Sequence, residues 1–323
     1  MIEVIKNIFC FPVPLPGSPL KELNCYIVRG GDRNLMVDVG FNAPEGYAAV
    51  TGAFKELGLF LSDTDIFLTH LHADHTGLID ELKKECGRIY ISEIDSIQVD
   101  RNCEDEYWTE YLGIQSHMGF PEAETLHYRD HPAYVGGALT RTDFVYVTEG
   151  MSFDFGGYNF AAIDLKGHTP GQMGLFDKQK SVLFCGDHIL NKITPNINLW
   201  DFNADYLGLF LKNLRKVEEL NVKTLLSAHR ALVPDVNLRI NQLLAHHDRR
   251  LSRVLEILSS GKSTVYEVAM EVEWDYGGGH FGSFPAAQKW FAASEVFAHL
   301  EHLRIIGKVD LLIEGPMYFY SIR

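Results

Sequence analysis

The chain reads as an α+β protein. It should form a four-layer αββα sandwich, two sheets with helices outside, followed by a small domain of helices and a β-hairpin. Three observations predict this. The 323 residues are 46% hydrophobic, enough for a large core and a second small one. Short strand-like runs alternate with helix-periodic segments in numbers that need two sheets. After Gly261 the pattern changes to helices and then two strands.

The elements follow in order. Residues 24–29 and 34–39 read as strands around the turn Gly30-Gly31-Asp32. Residues 47–57 have helical spacing, 65–69 form a short apolar run that reads as a buried strand, 75–85 read as a helix and 88–92 as a strand. Residues 95–135 are rich in aromatics (Tyr107, Trp108, Tyr111, Phe120, Tyr128, Tyr134) and read as an insertion that can serve as a lid. Strands resume at 143–147, 151–155, 158–164, 173–177 and 181–185. A helix follows at 204–220, a strand at 223–226 and a long helix at 235–259. A large domain is therefore assigned to 1–251 and the tail to 252–323. The tail holds a short helix (264–272), a glycine-rich loop (277–282), a helix (286–304) and strands at 308–313 and 317–322, a winged-helix pattern.

Composition narrows the function classes. The net charge of −14 disfavours nucleic acid and anionic membrane surfaces. No run of about 18 apolar residues predicts a membrane span. Met1 to Phe11 carries one lysine and is followed by prolines where a secretory leader would have its apolar stretch. The five cysteines are widely spaced without a CxxC pair, as in a reducing cytoplasm.

The chemistry concentrates in Thr69-His70-Leu71-His72-Ala73-Asp74-His75-Thr76-Gly77, between a predicted strand and a predicted helix. His70 and His72, two residues apart in extended chain, share a face. Asp74 and His75 enter the helix and can serve a second position. Imidazole nitrogens and a carboxylate suit zinc, manganese or iron. Further ligand types sit at later strand ends: His168 in Gly167-His168-Thr169-Pro170-Gly171, Asp187 in Cys185-Gly186-Asp187, and His229 in Ser227-Ala228-His229.

This order of motifs resembles the metallo-β-lactamase superfamily over roughly residues 1–230. The resemblance implies that His70, His72 and His168 hold one metal ion, that Asp74, His75 and His229 hold the other, and that Asp187 bridges both. It also implies that Asp38, at the end of an early strand, supports the ligands from behind. Two divalent ions per chain are expected, zinc first, with manganese or iron as alternatives. A water they share ionises near neutral pH and attacks an acyl carbon, and Asp74 orients it or accepts its proton. The expected substrate is a small molecule, a thioester by similarity to the glyoxalase II branch, or another ester or lactone. Asp rather than Cys at 187 argues against the secreted antibiotic-hydrolysing branch, and His rather than Glu at 72 against the flavodiiron oxygen reductases. Other readings are a mononuclear-iron persulfide dioxygenase, a phosphodiesterase or ribonuclease, and a metal-dependent ligand-binding or signalling protein.

Several residues stand as weaker candidates. His127 and His131 in the insertion, and Lys192 and Arg230 near ligands, are possible substrate contacts. Cys185 and His188 are expected to lie behind the metal ligands. The tail carries six basic and nine acidic residues over 251–323, and its second helix has Glu295 and Glu301 but no basic residue over 294–303. Phosphate binding by that helix is therefore not expected. The tail should pack beside the active-site mouth or form a homodimer contact.

Overall fold

The computed structural model describes residues 1–275 and 279–323. A seven-stranded sheet runs in the order β1 (Ile2–Ile5), β2 (Ile8–Pro14), β3 (Glu22–Val28), β4 (Asn34–Val37), β5 (Thr64–Phe67), β6 (Ile89–Ser92) and β7 (Val145–Val147). Its first four strands pair antiparallel and the rest parallel. A five-stranded sheet follows from β8 (Ser152–Phe155), β9 (Tyr158–Asp164), β10 (Met173–Asp177), β11 (Val182–Gly186) and β12 (Thr224–Ser227), with only β11 and β12 parallel.

The helices are α1 (Pro44–Leu57), α2 (Ala73–Thr76), α3 (Ile79–Leu82), α4 (Glu93–Arg101), α5 (Asp105–Gly113), α6 (Pro132–Gly136), α7 (Tyr206–Glu219), α8 (Val236–Leu258), α9 (Val265–Glu271) and α10 (Ala286–Ile305). Three apolar clusters make the layers. One joins the two sheets through Phe67, Phe153, Phe160 and Phe184. A second packs α1 on the first sheet through Val50 and Phe54. The third packs α7 and α8 on the second sheet and continues without a break into the tail. The four-layer α+β expectation is met.

Two differences from the sequence reading are informative. β1 and β2 were not among the expected strands, and β2 contains Pro12 and Pro14. They sit two apart at the end of β2, past the last residue paired with β1, so their missing N–H groups fall on a free edge. The helix expected over 75–85 is two single turns, α2 and α3. The Thr76 hydroxyl donates back to the His72 carbonyl, and Gly77 sits where a Cβ would lie 2.2 Å from the Gly136 carbonyl oxygen. The chain bends there to present its ligands.

The tail adds a small sheet in which β15 (Met317–Ile322) pairs with β14 (Val309–Glu314) and with β13 (Ser263–Thr264). The 251/252 division falls inside α8, which runs through it unbroken. The insertion is docked on the tail. Tyr266 N donates to Met118 O at 2.9 Å, Tyr318 N to His117 O at 2.9 Å, and Lys289 Nζ to Glu124 at 2.6 Å. Of the glycine-rich loop expected over 277–282, residues 277 and 278 lie outside the described residues.

Candidate metal centre

All seven expected ligands meet at one end of the sandwich. The parallel strands β5, β11 and β12 end there, delivering the 70–75 turn, Asp187 and His229, and the β9–β10 connection brings His168. Their donor atoms form three groups, His70–His72–His168, His70–His75–Asp187 and Asp74–His75–His229, with the atoms of each group within 4.8 Å of one another. Asp187 reaches both sides: its carboxylate oxygens lie 3.6 Å from His75 Nε2, 3.5 Å from His229 Nε2 and 3.7 Å from His168 Nε2. Asp74 Oδ2 lies 3.2 Å from His229 Nε2.

Hydrogen bonds on the far side of each ring fix which nitrogen faces inward. Asp38 Oδ2 accepts from His75 Nδ1 at 2.8 Å, Asn196 O from His168 Nδ1 at 2.6 Å, and Glu22 O from His229 Nδ1 at 2.9 Å. The Thr69 hydroxyl gives its one proton to Asp38, so it accepts from His70 Nδ1, 3.0 Å away. His72 differs, presenting its Nδ1 at 3.1 Å from His70 Nε2. Asp38 lies behind the ligands where it was expected, with φ of 59°, a left-handed conformation that Asp tolerates.

The donor set fits divalent metal ions. His75 Nε2, His168 Nε2, His229 Nε2 and Asp187 Oδ1 are buried and have no hydrogen-bond partner among the described residues. Such orphans are costly unless something binds them. Charge points the same way. Burial alone would lower the His75 pKa, yet Asp38, Asp74 and Asp187 around it push it well above the ordinary value. His229 is raised likewise, against burial, by Asp187 and Asp74. The surrounding carboxylates thus favour positive charge at both rings, as they would favour a bound cation. On the other side burial lowers His72 to about 3, and burial with its histidine neighbours lowers His70. Those rings are neutral, as ligands must be.

The sequence reading missed three supports. Asp95, at the start of α4, is fully buried and ties the two ligand loops together. It accepts from Leu71 N at 3.0 Å, Thr169 Oγ1 at 2.7 Å and Gly171 N at 2.7 Å. A Cβ on Gly171 would lie 2.1 Å from Ser92 Oγ, so only glycine lets the loop approach that closely. Asn196 orients His168 through its carbonyl. Its side chain is held in turn by the tail, donating to Phe291 O at 3.1 Å and Glu295 Oε2 at 3.2 Å. Trp200 donates to His168 O at 3.2 Å and lies over His72 with ring centroids 5.8 Å apart. Nothing in the sequence around Asp95, Asn196 or Trp200 distinguished them from ordinary polar or core residues.

The weaker candidates fall elsewhere. His127 is exposed and caps a turn, accepting from Arg129 N at 3.3 Å. His131 is buried against Trp108 and Phe291 and caps α6. Lys192 is exposed, and Arg230 is exposed and donates to Pro19 O. Cys185 is buried behind Asp187, where burial raises its thiol to about 12, and His188 is buried against Phe210.

Comparison with known proteins agrees with this geometry. The family described as the metallo-beta-lactamase superfamily matches residues 22–229, from β3 to the last expected ligand. The chain belongs to the metallo-β-lactamase superfamily. It is similar to the probable metallo-hydrolase YqjP of Bacillus subtilis, 23% identical over 98% of this chain and 99% of that protein. It is also similar to the atrochrysone carboxyl ACP thioesterase AacuM of Aspergillus aculeatus, 26% identical over 74% of this chain. The chain spans about 60% of the length of that relative. Among solved structures, a metallo-beta-lactamase family protein of Thermus thermophilus superposes over 99% of this chain and 100% of that one, with a TM-score of 0.84 and 27% identity. A beta-lactamase domain protein of Burkholderia ambifaria shares the fold over the whole chain, tail included, with a TM-score of 0.83. No helix among the described residues is long and apolar enough to cross a membrane.

Proposed function

We propose that this enzyme hydrolyses the thioester of a small acyl group, using two divalent metal ions, zinc in first place. The observation that carries the reading is the convergence of unpartnered His and Asp donors in two overlapping sets that share Asp187. The choice of a thioester is supported by the thioesterases among the relatives, each a distant one.

His70, His72 and His168 would hold one ion, Asp74, His75 and His229 the other, and Asp187 would serve both; bound there, the ions would supply Lewis acidity and lower the pKa of a water toward neutrality. Asp74 stays ionised, since His75 and His229 hold its pKa at about 2 against the opposing effect of burial. Its carboxylate accepts a hydrogen bond from the attacking water and orients it. Asp38 keeps His75 presenting Nε2, and the Thr69 hydroxyl does the same for His70. The complete donor set at the second position, Asp74, His75 and His229, supports a dinuclear hydrolase over the one-iron dioxygenase. The acidic tail supports a small-molecule substrate over nucleic acid. The five unpaired cysteines support a reducing, cytoplasmic setting.

The test is thiol release from a panel of acyl thioesters by zinc-loaded protein, alongside elemental mass spectrometry. Close to two ions per chain, and turnover lost in His70→Ala, is the expected result. No turnover above the His70→Ala control on any thioester or lactone would overturn the reading, as would one iron per chain with oxygen uptake on persulfides.

A further inference from the structure

Among the described residues each of the three sheets has two edge strands. β1, β7, β8, β12 and β13 are short, two to four residues long, and β1 carries a bulge as well. β14 is different. It runs for six residues, Val309–Glu314, pairs with β15 without a register shift, and contains no proline or lysine. Shortness, bulges, proline and lysine are the devices that blunt a free edge, and β14 has none of them. On the side away from β15 it makes no backbone hydrogen bond to any described residue.

The ladder fixes which groups are open. Arg323 N donates to Lys308 O at 3.2 Å across the start of the hairpin. Backbone groups alternate along an antiparallel strand, so Asp310, Leu312 and Glu314 also turn theirs to β15. Val309, Leu311 and Ile313 turn theirs outward. The exposed surface here is apolar. Ile313 is 66% exposed, and Leu312 and Met317 are exposed on the same hairpin. Ile305 and Ile306 are exposed where α10 ends, just before the strand.

We propose that a second copy of this chain pairs on β14, its own β14 running antiparallel, so that the two small sheets join into one. The charges of the strand are self-complementary in that arrangement. With the two-fold axis at Leu311, Lys308 lies opposite the partner's Glu314, Val309 opposite the partner's Ile313, and Asp310 opposite the partner's Leu312. Lys308 is exposed and has no ion pair among the described residues. Glu314 meets only Lys262, at the surface, and Asp310 is already paired with Arg323 at 3.4 Å. Opposite charges across a strand pair stabilise it, and like charges weaken it. Moving the axis to Leu312 would set Asp310 against the partner's Glu314. Moving it to Asp310 would leave Ile313 and Glu314 without partners. The patch holds Lys262, Lys308 and Arg323 against Asp310 and Glu314, so it does not share the chain's net charge of −14. Such a contact uses the same surface on both copies and closes at two.

Sedimentation velocity of the full chain over a concentration series tests this. Twice the chain mass is expected at high concentration; a monomer throughout, or a larger assembly, would overturn the proposal. Lys308→Glu sets a carboxylate against the partner's Glu314, and Glu314→Lys sets an ammonium against the partner's Lys308. Each variant alone should be monomeric. Mixed in equal amounts, the two bring unlike charges together at both positions and should form a dimer with one copy of each, read by native mass spectrometry. Ile313→Asp breaks the edge in a second, independent way and should also give monomers. All three positions are exposed, and circular dichroism checks that each variant keeps its fold. In hydrogen exchange the 309–314 segment should be protected in the wild-type dimer and open in Lys308→Glu. A dimer that survives the three single variants, a mixture that stays monomeric, or equal exchange in wild type and Lys308→Glu would each overturn the pairing.

Discussion

Two buried clusters rich in histidine lie in this molecule, and they are built to opposite ends. At the strand ends, five histidines surround Asp74 and Asp187 with Asp38 behind them. Between α8 and α10, His247 Nδ1 lies 3.1 Å from His299 Nε2, and Glu295 pairs with Arg250 at 3.2 Å. Both leave histidine nitrogens without hydrogen-bond partners among the described residues. The difference is the balance of charge. The first cluster has three carboxylates and, among the described residues, no lysine or arginine in its ion pairs, so His75 and His229 are driven toward protonation. The second carries its own cation in Arg250, and burial lowers His299 to about 4 and drops His247 well below its ordinary value. A histidine cluster therefore calls for a metal when its carboxylates lack a fixed cation, and serves as a polar core when one is present.

The largest effect expected from this contrast is at Asp187. Asp187→Ala removes the carboxylate common to both metal positions, so metal content and turnover should fall together, turnover to the level of the reaction without enzyme. Chelation of the wild-type protein should do the same and lower its melting temperature, with recovery on adding zinc. A ligand at 1,000 times its dissociation constant adds about 4 kcal/mol to stability, which gives the scale. Full metal retention in Asp187→Ala, measured by elemental analysis, would break the comparison at its root.

Asp38→Asn is the next step down. Asparagine has the same shape and accepts the φ of 59° at this position, so the change isolates the carboxylate that holds His75. Losses of about 10- to 100-fold in metal affinity or activity are typical when such an outer partner is removed. Competition with a chromophoric chelator measures the affinity, and a change under about 2-fold would show that the Thr69 and His75 contacts are not needed to aim the ligands.

What could be read from the sequence follows the same division. His70, His72, Asp74 and His75 fall within six residues, and His168, Asp187 and His229 each stand beside Gly or Ala at a strand end, so pattern alone exposed them. Asp38, between Val37 and Val39, was visible only through the family resemblance. The supports were hidden because their partners are far along the chain: Asp95 meets Thr169 across 74 residues, and Asn196 meets Glu295 across 99. Glu295 was visible only as one negative charge on a helix, evidence against phosphate binding, when its role in the fold is to anchor the residue that orients His168. β1 and β2 were not read from the sequence, and β2 accommodates Pro12 and Pro14 because β1 stops before them.

Glu295 also gives the comparison a dependence on pH. Burial opposes its ionisation, but Arg250, then His246 and the other histidines nearby, hold its pKa at about 2 in the folded protein. A carboxyl group whose folded pKa lies below its unfolded value contributes stability above the unfolded pKa, near 4.5, and that contribution is lost as the pH falls from there through about 2. The size is on the order of 3 kcal/mol. Glu295→Gln should be less stable by that order at pH 7 and should show a flatter loss of stability on acidification, in urea melts of metal-free protein. It should still bind two metal ions, more weakly at the His168 position. An unchanged acid limb would mean that Arg250 does not hold the charge.

The smallest effect separates the clusters most directly. His299→Gln removes one ring of the α8–α10 pair and keeps a polar side chain in its place. It should cost about 1 kcal/mol, the net worth of one hydrogen bond, and leave the metal content where it was. The reason lies in the charges: with Arg250 already beside Glu295, a divalent ion entering among His246, His247 and His299 would face a fixed positive charge and only one carboxylate. Zinc titration of wild type and variant to the same endpoint supports that argument. A lower endpoint in His299→Gln would mean that the α8–α10 cluster also takes up metal, and that the charge balance used to tell the two clusters apart is not what decides.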